Sequence, residues 1–142
     1  MVNMMYIYKK NIMTQEERNK WQRERRAQNN NAYTKKYEKT RKGFLMRMYR
    51  NMNSRINGIQ WRKAHLYSGK SLMTKSEFYD FANNDANFNT LFSNWGQSNY
   101  DRKLAPSIDR IDSSKGYEIG NVRFVTFSEN CRNTSRLKHS NG

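Results

Sequence analysis

The sequence predicts an α+β fold, in which a small, mainly helical domain ends in two strands and a helix and is preceded by a basic helical arm. Three patterns indicate this. Apolar residues recur at helical spacing between Thr40 and Asn57, Thr-x-x-Glu capping boxes begin at Thr14 and Thr74, and residues 121–126 have the β-branched and aromatic composition of a strand. The 142 residues are 35% hydrophobic and 13% aromatic, which is enough for one modest core.

The first predicted element is a basic helix near the N-terminus. The capping box of Thr14 and Glu17 predicts a helix that runs to about Ala27, and the three consecutive asparagines at 29–31 have the composition of a linker. This helix lacks a continuous apolar stripe, so we expect it to be stable mainly when it lies against something else. We therefore divide the chain into a basic arm over 1–39 and a domain over 40–142.

The positive charge is concentrated in the first part of the chain. Lys and Arg number 27 against 12 Asp and Glu, a net charge of +15. Residues 1–63 hold 17 basic and 4 acidic residues, so +13 of the net charge precedes residue 64 and +2 follows it. Nucleic acid is the commonest acidic partner of such a chain, and an anionic membrane surface is the alternative. The candidate nucleic-acid contacts are Arg23, Arg25, Arg26, Lys35, Lys36, Arg41, Lys42, Arg47, Arg50, Arg55, Lys115 and Arg123.

Cysteine and histidine usage excludes several classes of protein. Cys131 is the only cysteine, so no intrachain disulfide forms, and one Cys with His65 and His139 cannot assemble a four-ligand zinc site. The longest apolar stretches are too short to span a bilayer, and lysines interrupt the N-terminal segment too early for a signal peptide. We expect a soluble protein of the cytoplasm, without membrane association, that is not secreted.

The next predicted elements form the helical core. Phe44, Met48, Met52 and Ile56 recur every four residues and predict an amphipathic helix with a basic opposite face. After Gly58 we expect an irregular or strand-like segment around Trp61 that ends in a turn near Lys70.

Two further helices follow. One begins at Thr74, buries Phe78 and Phe81, and ends at 83–84. Asp85 caps the second, which buries Phe88, Leu91, Phe92 and Trp95 and stops at Gly96. Their spacing puts these aromatic rings on one inward face, so we interpret them as packing residues and not as a surface that stacks on bases.

The last predicted elements, over about 104–138, carry the candidate chemistry. After Pro106, residues 107–112 suit a short strand, residues 112–120 are rich in turn formers, and 121–126 form the second strand. Ser128 is the predicted cap of a final helix. The order strand, loop, strand, helix is a ββα unit.

This segment resembles the HNH, ββα-metal or His-Me finger endonucleases, especially the small phage and homing enzymes. Asp109-Arg110 occupies the position of the family's Asp-His pair, Asn121 that of the central Asn before the second strand, and Asn130 that of the residue on the helix. The resemblance extends upstream through 42–58 and 78–82, and so covers about residues 40–133.

The resemblance implies a phage-type endonuclease that hydrolyses phosphodiester bonds of duplex DNA with one divalent ion. Asp109 and Asn130 would be the metal ligands, and Asn121 would cross-link the loop between the strands. Oxygen ligands of this kind favour Mg²⁺ or Mn²⁺ over zinc.

The sequence departs from the family at the general base. Arg110 stands where the family has His, and an arginine stays protonated, so it could brace a phosphate but not accept a proton from water. Asp112 is the nearest replacement and would share a face with Arg110 if the strand continued; water activated by the metal alone is a second route.

Three functional hypotheses remain open from the sequence. The leading one is an HNH-like DNA endonuclease, homing or nicking, with catalytic residues Asp109, Arg110, Asp112, Asn121 and Asn130. The alternative is a catalytically inactive protein of the same fold that only binds nucleic acid. The third is an RNA-associated basic protein whose aromatic residues stack on unpaired bases. Taken singly, Asp109 and Arg110 could equally be an ordinary surface ion pair.

Overall fold

The computed structural model describes residues 12–29 and 31–140, with side chains as far as Asn133. The chain divides after Glu38 into two compact units. The described part is α+β, with seven α-helices and a two-stranded antiparallel sheet.

The first unit contains two exposed helices. Helix α1 spans Gln15–Gln28, and α2 spans Ala32–Glu38. The predicted capping box at Thr14 is confirmed, because the Thr14 hydroxyl accepts from the Glu17 N–H and the Glu17 carboxylate accepts from the Thr14 N–H. Neither helix buries a residue. Of the predicted 29–31 linker, Asn29 and Asn31 lie in the turn between α1 and α2, and Asn30 lies outside the described residues.

The second unit contains the remaining elements. Its helices are α3 (Arg41–Ile56), α4 (Ala64–Tyr67), α5 (Lys75–Asn84), α6 (Ala86–Gln97) and α7 (Phe127–Ser140), and its strands are β1 (Pro106–Arg110) and β2 (Val122–Thr126). Short 3₁₀ turns cover Trp61–Lys63 and Arg102–Leu104. The predicted caps Thr74 and Asp85 are confirmed, since their side chains accept from the N–H groups of Glu77 and Phe88.

The core lies between one face of the β-hairpin and helices α3, α5 and α6. Ile108 and Phe124 are opposite each other in the sheet and both are buried. The Phe124 ring stacks on Phe81 of α5 at 5.6 Å between centroids and contacts Phe88 of α6 at 4.8 Å. The aromatic residues of α5 and α6 therefore pack inward against the sheet, as their spacing predicts.

The structure differs from the sequence prediction in one element type and at several boundaries. Residues 61–67 form helical turns and not an irregular or strand-like segment, and β1 ends at Arg110, two residues early. Helix α6 continues past Gly96 to Gln97. Helix α7 begins one residue before Ser128, because the hydroxyl of Thr126 accepts from the Glu129 N–H and so makes the cap.

The loop between β1 and β2 is docked on the segment that precedes α5. The Tyr117 N–H donates to the carbonyl of Ser71 at 2.9 Å, and the Met73 N–H donates to the carbonyl of Tyr117 at 2.8 Å. The backbones approach so closely that a Cβ at Gly116 would lie 2.0 Å from the Ser71 carbonyl oxygen. Only glycine fits there, and the docking holds the loop in a defined position.

None of the helices in the described part of the chain is both long and apolar enough to cross a membrane.

Candidate functional site

The hairpin presents Asp109 on the face opposite to the core. Asp109 is the cross-strand partner of Arg123, and its Oδ2 accepts from the Arg123 Nε at 3.0 Å. The Asp109 side chain is 17% exposed and that of Arg123 is 54% exposed, so the pair lies at the protein surface. The sequence predicted both residues, but with separate roles and not as partners.

Asn130 of α7 lies over the same face of the hairpin. Its Nδ2 donates to the Ser107 Oγ at 2.7 Å. Ser107 and Asp109 are two residues apart in β1, and side chains two apart in a strand point to the same face. The ββα arrangement therefore brings the two predicted metal ligands, Asp109 and Asn130, to one side of the hairpin.

Asn121 cross-links the loop that joins the strands. Its Oδ1 accepts from the Asp112 N–H at 2.9 Å, and its Nδ2 donates to the carbonyls of Asp112 at 3.1 Å and Gly116 at 2.8 Å. The residue is 7% exposed. Three hydrogen bonds of one buried amide hold the start of the loop, at Asp112, and its middle, at Gly116, against the residue before β2, which is the contact that the family resemblance implies for Asn121.

Arg110 points away from Asp109, because adjacent side chains of a strand lie on opposite faces. Its Nη1 donates to the carbonyls of Lys115 at 2.9 Å and Leu66 at 3.2 Å. The guanidinium lies 4.1 Å from the centroid of the Tyr67 ring. Arg110 thus fastens the loop to α4 on the far side of the hairpin from Asp109 and Asn130.

Asp112 lies in the loop and not on a strand continuous with Arg110. Its Oδ1 accepts from the Ser114 N–H at 2.9 Å and from the Ser114 hydroxyl at 2.6 Å. The Ser114 hydroxyl and N–H, helped by Lys115 and Lys70, hold the pKa of Asp112 below its usual value. A lowered pKa makes a carboxylate a weaker proton acceptor near neutral pH.

A cluster of two tyrosines and two arginines supports the loop; its members are Tyr67, Tyr117, Arg55 and Arg110. The rings of Tyr67 and Tyr117 stack at 5.7 Å with an interplanar angle of 9°. Arg55 donates from Nη1 to the Tyr117 hydroxyl at 3.0 Å, and burial raises the pKa of Tyr117 to about 12. The neutral phenol therefore persists well into the alkaline range, and this cluster acts as a rigid support.

The predicted nucleic-acid contacts fall into two groups. Arg41 and Arg55 are half-buried: Arg41 donates from Nη1 to Asn83 at 3.4 Å and from Nη2 to Asn89, while Arg55 contacts Tyr117. The other predicted contacts are exposed; they are Arg23, Arg25 and Arg26 on α1, Lys35 and Lys36 on α2, Lys42, Arg47 and Arg50 on α3, Lys115 in the loop and Arg123 on β2.

The donor atoms on the outer face of the hairpin suit a hard cation. Asp109 carries carboxylate oxygens, and Asn130, whose amide nitrogen donates to Ser107, carries an amide oxygen. The described residues include no cluster of three or more His, Cys, Asp or Glu that could hold a metal. Two protein oxygens suit Mg²⁺ or Mn²⁺, whose remaining ligands are commonly water and substrate phosphate.

Sequence reasoning missed several residues that shape this region. Ser107 and Ser114 are partners of predicted site residues, and Tyr67 is the ring on which Arg110 lies. The position of Ser107 could have been predicted from the sequence, since it is two residues before Asp109 in the predicted strand and so lies on the same face. The contact of Tyr67 joins parts of the chain 43 residues apart, and no local pattern predicts it.

Comparison of the chain with models of protein families, with curated proteins and with solved structures found no match.

Proposed function

We propose that the protein is an HNH-like DNA endonuclease of the phage type that nicks or cuts duplex DNA with one divalent ion, Mg²⁺ or Mn²⁺. The observation that carries the proposal is the approach of Asn130 to the face of the hairpin that also bears Asp109, with Asn121 tying the intervening loop. The Asp109 carboxylate on this face pairs with a half-exposed cationic side chain, Arg123.

Under this proposal each site residue has a distinct role. Asp109 and Asn130 would hold the cation, which supplies Lewis-acid stabilisation of the phosphate charge and of the leaving 3′ oxygen. Arg123, which is 54% exposed, would move from Asp109 to a phosphate oxygen of the DNA. Asn121 and Arg110 would keep the loop and β1 in place without touching the reacting atoms.

The charge distribution supports DNA as the partner. From Lys39 to Ser76 inclusive the chain contains ten Lys and Arg residues and no Asp or Glu. Such an uninterrupted positive stretch favours a polyanion, and the binding would weaken steeply with salt as counterions are released. Part of the stretch is α3, whose outward face carries Arg47 and Arg50.

Nicking of supercoiled plasmid tests the proposal. We expect conversion to the open-circular form with Mg²⁺ or Mn²⁺ and no conversion with EDTA. The rate should fall by about 100-fold or more in Asp109→Asn, which removes the carboxylate charge from the site, and in Asn130→Ala, which removes a ligand, because each change weakens the hold on the cation that stabilises the transition state. Asp80→Asn and Asn94→Ala, on the exposed faces of α5 and α6, are matched controls. Intact plasmid with both metals, or full activity in Asp109→Asn, would contradict the proposal.

A second candidate function is nucleic-acid binding without cleavage. It is favoured because neither of the two candidates beside Asp109 in the sequence is a ready general base: Arg110 faces away, and the hydrogen bonds from Ser114 lower the pKa of Asp112. His65 is exposed on α4, and the side chain of His139 lies outside the described residues. Under this hypothesis duplex DNA binds with a steep salt dependence while plasmid stays intact, and His65→Ala changes neither result.

A further inference from the structure

The turn between α3 and α4 exposes two large apolar side chains. Ile59 is 70% exposed and Trp61 is 74% exposed. Trp61 lies in the 3₁₀ turn Trp61–Lys63, and its ring contacts the guanidinium of its neighbour Arg62 at 5.2 Å. Among the described residues, no aromatic ring packs on the indole. The apolar surface of Trp61 is left in water, so a partner that buries this surface would gain favourable free energy of binding.

The backbone around Trp61 is held in a defined shape. The Ile59 N–H donates to the carbonyl of Ser54 at 3.0 Å, and Gly58 has a φ of +72°, the left-handed conformation that closes the end of α3. The Gly69 N–H donates to the carbonyl of Ile56 at 3.3 Å and joins the two ends of the segment. The indole is therefore presented by a closed turn, which lowers the entropic cost of binding through it.

The same segment is tied to the loop of the candidate site. Arg110 donates to the carbonyl of Leu66, and the Lys70 Nζ donates to the carbonyls of Leu66 at 2.7 Å and Ser113 at 2.9 Å. The segment 59–70 and the loop that Asn121 cross-links thus belong to one supported structure. A nucleic acid bound at the hairpin would have a fixed relation to the turn that carries Trp61.

The charge around Trp61 identifies the chemistry of the partner. Residues 55–70 include Arg55, Arg62, Lys63 and Lys70 and no acidic residue. Arg62 and Lys63 are exposed, and neither forms an ion pair with any residue that the structure describes. An exposed indole flanked by cations suits a ligand with flat aromatic faces and regular negative charges, which is the chemistry of an unpaired nucleotide.

We propose that Trp61 stacks on an unpaired or extruded base of the DNA, with Ile59 beside it, while Arg62 and Lys63 contact the flanking phosphates. This rests on the proposed DNA-binding function and adds to it a second contact, which distinguishes distorted or single-stranded DNA from continuous duplex. Stacking of a base on an aromatic side chain commonly contributes enough to change affinity at least about 5-fold.

Binding of short labelled oligonucleotides to the full chain tests the assignment. For a single-stranded oligonucleotide and for a duplex with an unpaired base, we expect Trp61→Ala to weaken affinity about 5-fold or more and Trp61→Phe to weaken it less. The affinity for continuous duplex should change by less than about 2-fold. Because Trp21 lies on α1 beside the arginines that are expected to bind phosphate, tryptophan fluorescence is measured in Trp21→Phe. It should be quenched by the single strand in Trp21→Phe but not in the double variant Trp21→Phe with Trp61→Phe.

Controls separate this proposal from the nuclease function. Ile119→Ala removes another exposed apolar side chain, 54% exposed, and should leave single-strand affinity unchanged. Equal loss on duplex and single strand, or unchanged affinity in Trp61→Ala, would overturn the stacking contact even where plasmid nicking is intact. A shift of Trp61 emission with anionic phosphatidylserine vesicles but not with oligonucleotide would also overturn it. Absence of nicking with the stacking result intact would contradict only the nuclease proposal.

Discussion

The guanidinium of Arg110 lies 4.1 Å from the centroid of the Tyr67 ring and donates to two backbone carbonyls, those of Leu66 and Lys115. Arg110 follows Asp109 directly in β1, and the strand geometry sends the two side chains to opposite faces. The position at which the family resemblance implies a general base is therefore occupied by a residue that joins the loop to α4.

We expect Arg110→His to be destabilising and to give no gain in nicking. The imidazole cannot reach both carbonyls, and it would lie on the wrong face of β1 to serve a water near Asp109. The loss should be about 1–3 kcal/mol in the free energy of unfolding by urea, from two hydrogen bonds and one cation–π contact. Arg102→His is the control, since Arg102 is exposed, its guanidinium lies 5.0 Å from the centroid of the Phe127 ring, and within the described part of the chain its side chain makes no hydrogen bond to the loop or to α4. Faster plasmid nicking in Arg110→His would show that the side chain turns toward Asp109.

Asn121→Ala should be more destabilising than any exposed asparagine substitution. Removing the buried amide leaves the Asp112 N–H and the carbonyls of Asp112 and Gly116 without their partner, which costs about 2–4 kcal/mol. Urea unfolding measures the difference, and Asn94→Ala on the exposed face of α6 should change stability by less than about 0.5 kcal/mol. A loss below about 1 kcal/mol for Asn121→Ala would mean that the loop keeps its shape without the cross-link.

Much of the helical architecture could be predicted from the sequence because its signals are local. A capping box joins residues three apart, and the stripe through Phe44, Met48 and Met52 repeats within one helix. The order of the ββα elements is also predictable from composition.

The missed features depend on contacts between distant residues. Helix α4 has only four residues, too few for a periodic pattern, and it is held by Arg110 and Lys70 from outside. The close approach of Gly116 to Ser71 and the end of β1 before Asp112 likewise depend on the docked loop. The pairing of Asp109 with Arg123 depends on strand register, which the loop length alone did not specify.

The buried phenol of Tyr117 should make the protein sensitive to alkali. Burial raises the pKa of Tyr117 from 10.0 to about 12 in the folded state. Its contribution to stability is present below pH 10 and is lost as the pH rises toward 12, because the unfolded chain releases the proton first. We expect Tyr117→Phe to be less stable than wild type near neutral pH, because the variant lacks the hydrogen bond from Arg55. The difference in the free energy of unfolding between the two proteins should be smaller at about pH 11. Urea unfolding at both pH values measures this; Tyr33→Phe, at an 84% exposed tyrosine, should follow wild type. A stability difference between wild type and Tyr117→Phe that stays constant with pH would contradict the raised pKa of Tyr117.

Arg123→Gln should bind divalent metal more tightly than wild type in the absence of DNA. The Arg123 guanidinium pairs with the same Asp109 carboxylate that would hold the cation, so removing it removes a competitor. An exposed pair of this kind contributes at most about 1 kcal/mol, which corresponds to about 2- to 5-fold in Mn²⁺ affinity measured by calorimetry. Affinity for duplex DNA should fall in the same variant. Arg102→Gln is the charge-matched control, and unchanged or weaker Mn²⁺ binding in Arg123→Gln would contradict the shared-carboxylate argument.

The exposed arginines of α1 should account for part of the salt dependence of DNA binding. Arg23, Arg25 and Arg26 lie on one solvent-exposed helix of the first unit, and each phosphate contact contributes about 0.9 to the slope of log affinity against log salt concentration. Replacing all three by Gln in the full chain should lower that slope by about 1–3, with a larger loss of affinity at low salt than at high salt. Anisotropy of a labelled duplex across a salt series measures both quantities. The double variant Arg102→Gln with Lys103→Gln removes two positive charges on the 3₁₀ turn before β1 and should keep the slope. An unchanged slope in the triple variant would assign the phosphate contacts to the second unit, where α3 carries the next group of exposed arginines.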